Sequence, residues 1–168
     1  RAGDVAALAI APGTPLAYVT QTTLSLDDTR ETIAALRERF VQIVGPEVDD
    51  ICYATQNRQV AVRLLARQAE VLIVVGARNS SNSARLREVG EQQGVHAHLV
   101  EHAGELDPAW FDGVSRVGVS AGASTPERLV QQVCDRLRAL GARDVRTLEG
   151  VRETVSFRLP ATLWPRAA

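Results

Sequence analysis

Short apolar, β-branched runs alternate along the chain with longer stretches in which apolar residues recur every three to four positions. The first pattern suits buried strands and the second amphipathic helices, so their alternation predicts α/β architecture with βαβ units around a parallel sheet. Predicted strands cover 16–20, 41–45, 71–76, 96–100 and 116–120. Predicted helices cover 28–40, with Ile33, Leu36 and Phe40 on one stripe, and 55–69, with Val60, Leu64 and Leu65 behind a Thr55 cap. Two more cover 83–93, stopping at Gly94, and 125–140, with Pro126 in its first turn and Gly141 at its end. Pro46 and the acidic residues Glu47, Asp49 and Asp50 mark the best internal boundary. The chain therefore divides into 1–45, the end of one α/β lobe, and 46–168, a further α/β lobe whose tail at 155–160 reads as an edge strand.

Length and composition narrow the class. A chain of 168 residues is one domain or two small lobes and buries roughly 70% of its unfolded surface. Hydrophobic residues make up 45%, charged residues 23%, and the net charge is −1. That balance reads as a soluble, globular, nearly neutral protein and gives no sign of a polyanion-binding surface or a disordered tail. All 19 basic residues are arginine, and there is no methionine, not even at position 1. A chain beginning Arg1-Ala2-Gly3 is expected to have lost its start. Cys52 and Cys134 are too few for a disulfide scaffold and form no CxxC pair, so a reducing cytoplasm is the expected location. The run from Val5 to Ala11 is short and Asp4 stands where a signal peptide wants positive charge. No stretch approaches the ~18 apolar residues of a membrane span.

Candidate chemistry gathers at three strand-to-helix junctions. They are Thr20-Gln21-Thr22-Thr23-Leu24-Ser25, Asn79-Ser80-Ser81-Asn82-Ser83 and Ser120-Ala121-Gly122-Ala123-Ser124-Thr125. Loops at the carboxyl ends of parallel strands are where ligands bind, and each helix start offers free N–H groups and partial positive charge to an anion. Helix capping explains any one such loop. Five consecutive small polar side chains at 79–83 exceed what one cap uses, so the set reads as a phosphate cradle. Without lysine there is no GxxxxGK[ST] loop, and no GxGxxG follows a strand, which disfavours a P-loop NTPase and a standard dinucleotide site. Arg78 adjoins the Ser-Asn loop as a possible helper.

Other patterns compete. Gly118-Val119-Ser120-Ala121-Gly122 matches the GxSxG elbow of serine hydrolases, but His96, His98 and His102 all precede Ser120, the reverse of that fold's order. The same histidines spell HxHxxxH, for which zinc is conceivable, although alternation in 96–100 equally describes a half-exposed strand. Cys52 precedes a helix start that favours a thiolate, and Asp49 and Asp50 oppose it; a soft metal overrides that balance. Cys134, beside Leu129, Val133 and Leu137, reads as a small packing residue.

Four blocks carry a resemblance. Val19-Thr20-Gln21-Thr22-Thr23-Leu24-Ser25, Asp49-Asp50-Ile51-Cys52-Tyr53-Ala54-Thr55, Gly76-Ala77-Arg78-Asn79-Ser80-Ser81-Asn82-Ser83 and Gly118-Val119-Ser120-Ala121-Gly122-Ala123-Ser124 are similar, in order and spacing, to the carboxyl-terminal half of the 4-hydroxy-3-methylbut-2-enyl diphosphate reductases, the LytB/IspH family. The resemblance implies a three-lobed, pseudo-threefold fold, of which 1–45 would end the second lobe and 46–168 form the third. It implies the last step of the non-mevalonate isoprenoid pathway: reductive removal of an allylic hydroxyl to give isopentenyl and dimethylallyl diphosphates. Members hold a [4Fe-4S] cluster on three cysteines and take electrons from ferredoxin- or flavodoxin-like partners. Cys52 matches the third cysteine, Ser80, Ser81, Asn82 and Ser124 match diphosphate-binding positions, and Thr22 matches a threonine near the reacting end. The other two cysteines, the diphosphate-binding histidines and the proton-delivering glutamate have no counterpart here and are expected ahead of Arg1. One thiolate cannot hold a four-iron cluster, so the chain alone is expected to be inactive without that segment. The reading from another class is a non-catalytic anion-binding or interaction module built on the same loops.

Overall fold

The structure is a computed structural model and describes residues 1–46 and 51–150. Three parallel strands, β1 (Val71–Val75), β2 (His96–Val100) and β3 (Val117–Ala121), form a sheet in the order β2-β1-β3. The run Val71-Leu72-Ile73-Val74-Val75 is buried throughout, as a central parallel strand covered on both faces requires. Its alternate side chains enter two cores. Leu72 and Val74 pack with Val62 and Ala66 of α2 (Tyr53–Ala66) and Leu86 and Val89 of α3 (Ser81–Gln92). Val71, Ile73 and Val75 pack with Val133 and Leu137 of α4 (Glu127–Ala139), with Leu106, Trp110 and Phe111 alongside. The sheet is thus the middle of three layers, the α/β arrangement expected from the alternating pattern.

The chain leaves β1 through α3 to β2 on one side, then returns past β1 to β3 on the other. That reversal puts a switch point between the carboxyl ends of β1 and β3, where open parallel sheets bind ligands. Gly76 N–H donates to Val100 O and Gly122 N–H to Val75 O, both at 2.9 Å, so each loop leaves the sheet with its first residue still in the ladder.

Helix ends depart from expectation for local reasons. The third helix begins at Ser81, with Ser80 as N-cap accepting from Ser83 N–H at 3.3 Å. Its stop at Gly94 holds, with φ of 83° in the left-handed region glycine tolerates. The second begins at Tyr53 with Cys52 at the N-cap, so Thr55 lies inside the helix and buried, and is not its cap. The last helix begins at Glu127 because the Thr125 hydroxyl donates inward to Val75 O at 3.0 Å; Pro126 then takes the N-cap.

Ahead of this sheet, α1 (Leu26–Arg39) packs its buried Ile33 near Val5 of a 3₁₀ turn, Ala2–Ala7, and Arg39 donates to the carbonyls of Val5 and Leu8. The strands expected at 16–20 and 41–45 do meet in parallel, but only as one isolated bridge between Ala17 and Val44. A strand needs partners on its edges and cover on its faces; here Val19 and Val41 are each 91% exposed and no further strand flanks them among the described residues. The edge strand expected at 155–160 lies outside the described residues, as do Glu47, Asp49 and Asp50.

Candidate functional site

The loops after β1 and β3 converge on one serine. A Cβ added to Gly76 or to Gly122 would lie 2.2 Å from Ser83 Oγ, and in either case within 3.3 Å of Thr125 Oγ1. Both positions are therefore restricted to glycine by contact, letting the two backbones close around a pair of hydroxyls. Ser83 Oγ donates to Ser80 Oγ at 3.1 Å.

This geometry divides the Ser-Asn loop by role. Packing accounts for Ser83, whereas Ser80 caps the helix by accepting from Ser83 and keeps its own hydroxyl proton free to donate. Neither role accounts for Asn82, which is buried (7% exposed) with neither its Oδ1 nor its Nδ2 hydrogen-bonded. A buried amide without partners costs on the order of 1–3 kcal/mol, so its presence points to a polar group that completes it. Ser81 lies exposed at the first position of α3, where the leading N–H groups have no intrahelical acceptor. Ser124 is exposed in the loop after β3, across the switch point. Hydroxyls and an amide are thus carried on the two loops that flank the switch point and at the start of α3, chemistry suited to many short hydrogen bonds around an anion.

The second helix ties the third loop to the end of β3. Cys52 N–H donates to Thr22 O at 3.2 Å, which sets Thr22 beside the N-cap thiol. Gln59, wholly buried, donates to Leu24 O at 2.8 Å and accepts from Leu26 N–H at 3.2 Å. Thr20 and Thr23, either side of Thr22, each have a buried hydroxyl without a partner. One turn along α2, Arg58 reaches the end of β3 and donates to Ala121 O at 3.3 Å.

Cys52 is exposed, free and makes no capping hydrogen bond through its sulfur, so the thiol is available as a ligand. Among the described residues no three His, Cys, Asp or Glu side chains converge as a metal site. A cluster at Cys52 would therefore draw one ligand from these residues. Cys134 is half-buried on α4, where burial pushes its thiol up.

Several sequence candidates serve structure. His98 stacks on Trp110 with centroids 3.8 Å apart, and burial, then the nearby His96, lower its pKa. His102 Nδ1 accepts from Gly104 N–H at 3.1 Å and caps a short turn. Arg78 is committed away from the Ser-Asn loop, pairing with Glu105 at 3.1 Å. Ser120 is a residue of β3, and no non-glycine among the described residues has positive φ, so the strained elbow that exposes a hydrolase nucleophile is not formed. Sequence reasoning named neither Ser83 nor Thr125 as a site residue and overlooked Arg58 and Gln59. Ser83 and Thr125 carried the only prior signal, as members of the hydroxyl-rich loops.

Residues 2–138 match the family described as LytB protein. Over 162 residues, 96% of this chain, the sequence is 54% identical to the 4-hydroxy-3-methylbut-2-enyl diphosphate reductase of Zymomonas mobilis, and over 160 residues 59% identical to that of Aromatoleum aromaticum. The chain spans about half the length of these relatives, 48% and 51% respectively. Its fold matches the E-1-hydroxy-2-methyl-but-2-enyl-4-diphosphate reductase of Plasmodium falciparum with a TM-score of 0.72 at 34% identity, over 79% of this chain and 42% of that one. Sequence match along most of the chain, relatives more than half identical, and a shared fold agree: this chain belongs to the LytB protein family.

Proposed function

We propose that this chain carries one side of the active site of a 4-hydroxy-3-methylbut-2-enyl diphosphate reductase, which removes an allylic hydroxyl reductively and gives isopentenyl and dimethylallyl diphosphates. The observation that carries the reading is Asn82, a buried amide without partners at a switch point walled by Ser80, Ser81, Ser124 and the glycine pair. Ser80, Ser81, Asn82 and Ser124 hold the diphosphate; the leading N–H groups of α3 add to that hold. Thr22, fixed through its carbonyl by Cys52 N–H, lies toward the reacting end and orients the hydroxyl that leaves as water. Cys52 would be one of three thiolate ligands of a [4Fe-4S] cluster, which supplies the electrons when bound.

The reading extends to organisation. Residues 1–45 and 46–168 belong to successive lobes of a three-lobed fold, and residues supplied from elsewhere in the enzyme provide the remaining ligands and the proton-donating carboxylate. A ferredoxin- or flavodoxin-like donor brings the electrons. The alternative, an anion-binding module without redox chemistry, uses the same loops and differs in having no use for Cys52.

Calorimetry with inorganic pyrophosphate tests the site. The Ser80→Ala/Asn82→Ala variant is expected to bind at least about tenfold more weakly than wild type, or about 1.4 kcal/mol. Equal affinities would remove these residues from the site.

A further inference from the structure

Four arginines among the described residues are half-buried: Arg58, Arg63, Arg85 and Arg87. Three of them have carboxylate partners, Arg63 with Asp27, Arg85 with Asp28 and Glu88, and Arg87 with Glu91. Arg58 has none among the described residues. It makes one hydrogen bond, from Nη1 to Ala121 O, and its Nε is buried without any partner. Withdrawing a guanidinium from water without an opposing charge is unfavourable, and such groups are ordinarily paired.

Its location says what completes it. Ala121 ends β3 and precedes Gly122, where an added Cβ would strike Ser83 and approach Thr125, and whose loop carries Ser124. Arg58 thus sits against the end of β3, next to the loop that carries Ser124, with its positive charge uncompensated. In a chain without lysine, and with Arg78 held by Glu105, no other half-buried cation among the described residues is left unpaired. We propose that Arg58 is a positioning residue of the anion site: its guanidinium braces the 121–125 loop through the Ala121 carbonyl and supplies the compensating charge for the bound diphosphate. This rests on the diphosphate reading of the crevice and adds a cation to a site otherwise made of neutral donors.

The role separates charge from bracing. Arg58→Gln retains an N–H donor for Ala121 O and removes the charge; Arg58→Lys retains the charge. Pyrophosphate titration of the 168-residue chain is expected to show affinity lowered about tenfold by Arg58→Gln at low salt and less than about threefold by Arg58→Lys. The Arg58→Gln deficit should shrink at high salt, where a partly exposed charge is screened. Unchanged affinity in Arg58→Gln, or equal, salt-insensitive losses in both variants, would overturn the charge role. If Arg58→Gln does not fold, as judged by circular dichroism, Arg58→Lys decides: near-native affinity supports the proposal and a tenfold loss overturns it. Wild-type binding that Ser80→Ala/Asn82→Ala abolishes and Arg58→Gln spares would sink this inference alone, whereas no binding by wild type would sink it together with the diphosphate reading.

Discussion

Asn82 and Gln59 illustrate how differently two buried amides behave. Both are polar side chains removed from water, yet Gln59 spends its donor and acceptor on Leu24 and Leu26 while Asn82 has no partner. The satisfied amide serves structure, and the unsatisfied one is the group that the proposed diphosphate site would complete. Gln59→Leu should accordingly cost about 1–3 kcal/mol in urea unfolding, because two buried backbone groups lose their partners. Asn82→Leu, which removes an already unpaired amide, should cost little stability or none. The cysteines separate on the same principle of environment. Cys52 is exposed, whereas burial shields the Cys134 thiol and holds it in the protonated form. Iodoacetamide at mildly alkaline pH is expected to label Cys52 first, read by peptide mass spectrometry; faster labelling of Cys134 would contradict the placement.

At the level of elements, the sheet was legible and the segments before it were not. The run at 71–75 is apolar at every position and becomes the central strand, because only a strand covered on both faces can use such a run. The runs at 16–20 and 41–45 looked similar in sequence, yet a strand is completed by its neighbours, and here they share a single bridge. The Ser-Asn loop was legible from its composition as a strand-to-helix junction, and it does join β1 to α3. The arms of α2 were not: Arg58 meets Ala121 63 positions away and Gln59 meets Leu24 35 positions away, contacts that no local pattern encodes. One turn before β1 shows a pH-dependent joint. Glu70 accepts from the N–H groups of Ser115 and Arg116, which, the first foremost, hold its carboxyl below the usual range. Its folded-state pKa is depressed, so its contribution is present above the ordinary carboxylate pKa and is lost as pH falls through the lowered value. Glu70→Gln should lower stability near neutrality, where the charged carboxylate contributes, and flatten the acid limb so that variant and wild type converge at low pH, as followed by thermal unfolding across pH 3 to 7.

At the level of the molecule, the loops after β1 and β3 close on Ser83 at the start of α3, and Arg58 of α2 reaches the end of β3. A Cβ at Gly122 strikes Ser83 Oγ, so Gly122→Ala should push those loops apart and weaken anion binding together with stability. The proposed cluster asks more than these residues contain: anaerobic reconstitution of the chain alone with iron and sulfide is expected to yield no stable four-iron spectrum, since Cys52 is a single ligand. The claim on which the rest depends is that the crevice between β1 and β3 holds a diphosphate. An amide-resolved NMR titration of the chain with inorganic pyrophosphate tests it most directly. Saturable shifts centred on Ser81, Asn82 and residues 122–124 are the predicted result; no shifts there, or shifts centred instead on Arg78, Arg87 and Trp110, would contradict it.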